Sequence, residues 1–179
     1  MRKIVAGLAV TLDGVVDSPS GNWMMFNDEM REIIDAGVAE ADAILLGRRT
    51  YLEFAEMWPR LGSDVPMADF MNGTPKYVAS STLRSLEWAG STLLTGDLAT
   101  ELTELKRRPG KNIQVPGSPR LVRSLLASGL LDELSLMIHP VVLGTGARLF
   151  DGQADRMDLK LQDSRTLGTG VISATYVRA

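Results

Sequence analysis

The sequence predicts an α/β fold in three layers, αβα: a mostly parallel central sheet, helices on both faces and an antiparallel hairpin near the C-terminal end. Three observations predict it. Short apolar runs alternate with helical patterns as far as Gly129, the arrangement that builds parallel strands joined by covering helices. Beyond that point the helical patterns stop, and the runs Leu159–Gln162 and Val171–Val177 flank Gly168-Thr169-Gly170, which has the composition of a hairpin turn. Finally, three of the earlier runs end in small or hydroxyl residues, at Gly47, Ser80-Ser81 and Gly117-Ser118. In open sheets of this class, ligands bind beyond the carboxyl ends of the strands.

The elements follow in order. Lys3–Leu12 is the first strand. Its basic lead, Met1-Arg2-Lys3, has the look of a secretion signal, but Asp13-Gly14 stops the apolar run early and no small-x-small cleavage site follows. Met30, Ile33, Ile34 and Val38 recur at helical spacing and mark the first helix. Asp42–Leu46 is a buried strand, and Tyr51, Phe54, Ala55 and Trp58 mark the helix after it. Lys76–Ala79 and Ser91–Leu94 are short strands. Leu98, Leu102 and Leu105 form a third helical stripe, stopped by Pro109-Gly110 before the strand Asn112–Val115. Leu121, Val122, Leu125 and Leu126 form a fourth, ended by Gly129, a residue suited to a helix C-terminus. The apolar run Leu134–Leu143 precedes the hairpin.

Composition limits partners and compartment. A chain of 179 residues, 45% apolar and 23% charged, without repeat, linker or low-complexity tract, reads as one domain spanning residues 1–179. A net charge of −3 argues against nucleic-acid binding, which needs a basic face. No apolar run approaches the roughly 20 residues of a membrane span. The chain has no cysteine, which excludes disulfides and thiolate metal sites and fits a reducing, cytoplasmic setting. His139, the only histidine, lies in an apolar strand before Pro140 and is expected to be structural. The acids show no metal-ligand spacing, so no metal is expected.

The strand ends carry the functional expectation. A strand that stops at Gly or Ser and turns into a helix leaves free backbone N–H groups and a positive helix end facing the crevice. Gly47-Arg48-Arg49-Thr50 adds two fork-shaped guanidinium donors and a hydroxyl, although by itself a helix start with two solvated arginines is the simpler account. Ser80 and Ser81 end the next strand, where their hydroxyls either cap a turn or face the same crevice. Gly117-Ser118 feeding a helix is an anion site by geometry, bordered by Arg120 and Leu121. Gly96 ends another run, with Asp97 as a helix N-cap. Together these ends describe a cradle for a molecule with several phosphates, an extended dinucleotide site, and point to an enzyme. By contrast, Gly144-Thr145-Gly146 lacks the third glycine and the following helix of a Rossmann fingerprint and reads as a loop. Asp13 stabilises an Asp-Gly turn, and Asp28 charges a helix start, unless either also serves a ligand.

Taken in order, Thr11-Leu12-Asp13-Gly14, Trp23, Leu46-Gly47-Arg48-Arg49-Thr50, Val78-Ala79-Ser80-Ser81, Val115-Pro116-Gly117-Ser118, Asp132-Glu133-Leu134 and residues 140–146 span nearly the whole chain. The set resembles the dihydrofolate reductase-like superfamily and, within it, the riboflavin-biosynthesis reductase C-terminal family. The resemblance implies a dihydrofolate reductase-like fold, NADPH as hydride donor, a homodimer, and a small-molecule substrate reduced at a C=N or C=O bond. Its reference activity converts a ribosylaminopyrimidine phosphate to the ribitylamino form. It implies that Gly47, Arg48, Arg49, Thr50, Ser80, Ser81, Gly96, Gly117, Ser118, Arg120 and Leu121 line the cofactor. Asp13 and Trp23 would border the substrate, and Asp28, at a tryptophan-to-acid spacing similar to that of folate reductases, would be the catalytic acid. The alternatives are a dihydrofolate reductase proper and a nucleotide-binding module without chemistry. The chain departs from the family pattern at Pro116 and Pro119. Pro119 suits the first helical position after a Ser118 cap, whereas Pro116 removes a strand N–H beneath the nicotinamide. The paired arginines and serines, with no acid adjacent to either pair, predict NADPH over NADH.

Overall fold

Ile4, Ala6, Leu8 and Val10 are buried and alternate with half-buried neighbours, the period-two pattern of a strand covered on both faces. They belong to Ile4–Thr11 (β1) of the computed structural model, which describes residues 1–17, 22–151 and 156–179. After it come Val15–Asp17 (β2), Asp28–Ala39 (α1), Ala41–Gly47 (β3), Arg48–Met57 (α2), Ala68–Gly73 (α3), Lys76–Ala79 (β4) and Ser91–Leu94 (β5). The second half holds Leu98–Arg107 (α4), Asn112–Pro116 (β6), Pro119–Ala127 (α5), Glu133–His139 (β7), Ala147–Arg148 (β8), Leu159–Thr166 (β9) and Ile172–Arg178 (β10).

One eight-stranded sheet runs β5-β4-β3-β6-β1-β7-β10-β9. The strands from β5 to β7 are parallel, while β10 pairs antiparallel with both β7 and β9. β2 and β8 form a separate antiparallel ribbon. Successive side chains of a strand point to opposite faces, and the core divides accordingly. Leu102 and Leu105 of α4 and Val122 and Leu125 of α5 pack on Ala43, Leu45, Ile4 and Ala6. Tyr51 of α2 and Met71 of α3 pack on Ile44, Leu46 and Val78 on the other face, as does α1 through Met30 against Met137 and Val171. This is the three-layer αβα arrangement, with the antiparallel pair at the C-terminal end.

Several local features differ from the sequence reading, the β2–β8 ribbon among them. α3 is not marked by apolar spacing. It starts at Met67, which is left-handed at φ 68°, and its final carbonyls are held by the Lys76 ammonium. That group donates to the carbonyls of Met71, Asn72 and Thr74 at 2.9, 3.2 and 2.8 Å, is 1% exposed, and stands 4.5 Å from the Trp88 ring centroid. β7 stops at His139 rather than Leu143, because Pro140 has no N–H to continue the ladder. β9 continues to Thr166 and pairs with β10 except at Gln162, where the register shifts between Thr175 and Tyr176. Among the described residues no helix is long and apolar enough to cross a membrane.

Candidate active site

Every helix that leads into a parallel strand starts at the carboxyl edge of the sheet, so the helix N-termini gather there. Gly47 ends β3 and is the residue from which α2 begins; Gly117 and Ser118 follow β6, the neighbouring strand, and lead into α5. Gly117 has φ 102°, open only to glycine without strain. Ser118 is also left-handed, at φ 61°, and this overturns its expected role as a helix cap. Its buried hydroxyl makes no bond to the α5 amides and instead accepts the Gly47 N–H at 3.0 Å. The Gly47 amide, expected to be free for a ligand, is therefore engaged within the chain. The Ser118 hydroxyl hydrogen has no acceptor among the described residues, so one donor stays available. A Cβ on Gly47 would lie 3.4 Å from the Ser118 side chain and 3.6 Å from the Leu121 Cβ; one on Gly117 would lie 3.6 Å from Thr50 Cγ2. Gly47, Thr50, Gly117, Ser118 and Leu121 thus meet at one notch between two helix N-termini.

The remaining expected cofactor residues divide. Arg48 and Arg120 are exposed in the first turns of α2 and α5, without an ion pair among the described residues. Arg49 is engaged: it donates to Glu53 at 2.9 Å and to Asp17 at 2.8 Å. The expectation of no acid beside the arginine pair is corrected here, because Glu53 lies one helical turn on and Asp17 arrives through β2. The i,i+4 spacing of Arg49 and Glu53 was a signal present in the sequence. Ser80 follows the turn-capping alternative, its hydroxyl accepting the Thr82 and Leu83 amides at 3.2 and 3.1 Å, and Ser81 is exposed. The Gly96 amide donates to Glu101 at 3.1 Å, so that α4 start is filled by its own carboxylate. Ser80, Ser81 and Gly96 follow β4 and β5, on the β5 side of the notch.

On the other side of the notch lie the carboxyl ends of β1 and β7. Asp13 accepts from the Thr11 hydroxyl at 2.6 Å, the Leu143 and Gly144 amides at 3.2 and 2.9 Å, and Arg148 at 3.3 Å. Two donors meet each carboxylate oxygen, which uses its acceptor capacity and leaves none for a substrate. The Thr11 hydroxyl above all, with those amides and Arg148, holds the carboxyl well below the usual range. Residues 140–146 therefore serve as the loop that Asp13 ties to β1. Asp28 is the first residue of α1 and its side chain is 90% exposed, 3.4 Å from Arg31. It does not face an enclosed cavity, because Asn27 takes the cap, bonding the Met30 amide, and Met30 takes the inward position. Trp23 is half-buried, its ring 5.3 Å from that of His139 in an edge-to-face pair. His139 is wholly buried, and its Nδ1 accepts the Met25 N–H at 3.2 Å, a contact that nothing in the sequence pattern signalled.

Residues 2–173 match the model of the RibD C-terminal domain family. The uncharacterized protein YyaP of Bacillus subtilis (strain 168) is 31% identical over 180 residues, covering 98% of this chain and 94% of that protein. The chain is also similar to a Shewanella sp. PV-4 protein assigned to riboflavin biosynthesis, with a TM-score of 0.79 at 21% identity, over 100% of this chain and 99% of that one. Dihydrofolate reductase from Enterococcus faecalis, solved in complex with NADP(H), has the same fold, with a TM-score of 0.64 at 14% identity, over 98% and 96% of the two chains.

Proposed function

The chain belongs to the RibD C-terminal domain family, and from that premise we propose that it is an NADPH-dependent reductase acting on a C=N or C=O bond of a small substrate. One observation carries the reading: the notch where Gly47, Gly117 and Ser118 bring the carboxyl ends of β3 and β6 together beneath two helix N-termini. Glycine at 47 and 117 leaves a cradle that a Cβ would fill, and a diphosphate fits the donors around it: helix-start amides, the Ser118 hydroxyl and the exposed guanidinium of Arg120, which leaves the exposed guanidinium of Arg48 for the 2′-phosphate. NADPH, when bound, supplies the hydride, and the protein supplies orientation and a proton.

The substrate then lies beside the notch, at the carboxyl ends of β1 and β7. Asp13 stays ionised and saturated with donors, so it organises the loop and donates no proton. Asp28, the exposed first residue of α1, is the acid we assign to the acceptor atom. The reading extends to a homodimer, which light scattering at micromolar concentration checks; a monomer mass overturns that part. The central test is titration of the protein with NADPH, followed by tryptophan quenching, and then NADPH oxidation across cyclic imines, dihydropterins and aldehydes. Saturable binding with turnover of one class is expected. Absence of binding overturns the reading, and binding without any turnover reduces the protein to a nucleotide-binding module.

A further inference from the structure

We propose that His139 is a positioning residue: in its neutral form it pins residues 23–27 across the carboxyl end of β7 and so sets the wall of the substrate crevice. The substrate in this statement rests on the reductase reading above, whereas the pinning rests on geometry alone. His139 ends β7 opposite Thr11 of β1, with 0% exposure. Strand alternation puts it on the same face as Met137, the face that α1 covers. Two contacts join it to residues 22–27, which have neither helix nor strand of their own and expose Met24, Met25 and Phe26. Its Nδ1 accepts the Met25 N–H at 3.2 Å, and its ring meets the Trp23 ring at 85°.

The protonation state decides whether the first contact exists. Since Nδ1 accepts, the single hydrogen of the neutral ring sits on Nε2, and that buried N–H has no partner among the described residues. A second proton would place an N–H on Nδ1, directly against the Met25 N–H. It would also bury a charge whose Nε2 side has no acceptor. Burial accordingly holds the imidazole below its ordinary range. α1, which covers this face, carries Asp28, Glu29, Arg31, Glu32 and Asp35; Asp13 follows β1, and Arg165 of β9 reaches α1. Asp13 pairs with Arg148, Asp28 with Arg31 and Glu29 with Arg165, while Glu32 and Asp35 are exposed. Asp13 and Glu29 are both held below the usual carboxylate range, so they stay ionised near neutrality. With residues 23–27 released, His139 takes up its proton at a higher pH than when it is pinned. The pinned state is therefore complete above about pH 6.5 and is lost as pH falls below it.

The test follows tryptophan emission of the intact protein from about pH 8 to pH 5, with far-UV circular dichroism as the check on folding. Unaltered protein should show an emission change with a midpoint below about 6.5 while the secondary structure stays constant. Trp23→Phe, a change at a half-buried site, should abolish that change. His139→Asn, whose side-chain oxygen can take the Met25 N–H without titrating, should give emission independent of pH. Persistence of the transition in either variant, or its absence from the unaltered protein, overturns the proposal. NADPH affinity, which draws on β3 and β6, should differ less than about twofold between unaltered protein and His139→Asn at neutral pH, whereas substrate KM should rise on acidification only in the unaltered protein. If NADPH fails to bind at all, the reductase reading falls, and the Trp23–His139 transition still decides the pinning.

Discussion

Ser118→Ala removes one oxygen and leaves the backbone at φ 61°. Two quantities should respond. The Gly47 N–H loses its acceptor at a half-buried position, which costs about 1–3 kcal/mol of stability. Ser118→Gly loses the same oxygen but relaxes a left-handed residue, so it should be more stable than the alanine variant by about 1 kcal/mol. For a chain of this length, that difference is worth about 2–4 °C in Tm. Melting temperatures should therefore fall in the order unaltered, Ser118→Gly, Ser118→Ala. Cofactor affinity should follow a different order. The hydroxyl hydrogen has no acceptor within the described residues, and a charge-assisted bond to a diphosphate oxygen contributes about 1.5–3 kcal/mol, roughly ten- to a hundred-fold in Kd. Both variants should lose that factor equally, in spite of their unequal stability. Thermal melting by circular dichroism and NADPH titration by tryptophan quenching read the two effects separately. If both variants bind NADPH normally while melting lower, Ser118 is structural only. If neither melts lower, the bond between β3 and β6 contributes nothing, and the reasoning behind the notch is refuted.

Asp28→Asn should lower kcat at least about tenfold and leave NADPH affinity unchanged, the pattern of a group acting in the transition state; steady-state kinetics with an identified substrate that show no change reduce Asp28 to a helix-start acid. Arg48→Ala should erase most of the preference for NADPH over NADH, about ten- to a hundred-fold by fluorescence titration, while Arg49→Ala should change it less than twofold, roughly, because Asp17 and Glu53 already hold that guanidinium. Lys76→Met should destabilise the fold by about 3 kcal/mol in urea, since three carbonyls lose a buried ammonium and the relief of its desolvation offsets only part of the loss. Asp13 has a folded-state carboxyl held below its unfolded value, so its contribution is complete above about pH 4 and disappears as pH falls further. Acid unfolding followed by circular dichroism should accordingly shift to higher pH in Asp13→Ala, and an unshifted midpoint would count against the four-donor site.

The sequence by itself determined which segments are strands and helices wherever the pattern is periodic. Ile4, Ala6, Leu8 and Val10 alternate, and Leu121, Val122, Leu125 and Leu126 recur every three or four residues; burial in the sheet and under α5 follows directly. α3 escaped, because its ends are held by a left-handed Met67 and by an ammonium from the next strand, neither of which leaves a period in the chain. The ordered motifs also sufficed for the family and for meeting points such as Gly47 and Gly117. What each polar group does at those points was decided by the tertiary structure. Ser118 bonds Gly47, 71 positions away; Arg49 bonds Asp17 across 32; Asp13 bonds Gly144 across 131. His139 takes the Met25 amide across 114 positions. Apolar burial depends mainly on composition along one element, and so is written locally. A hydrogen bond depends on a partner's position within a few tenths of an ångström, and that position exists only once the strands are assembled.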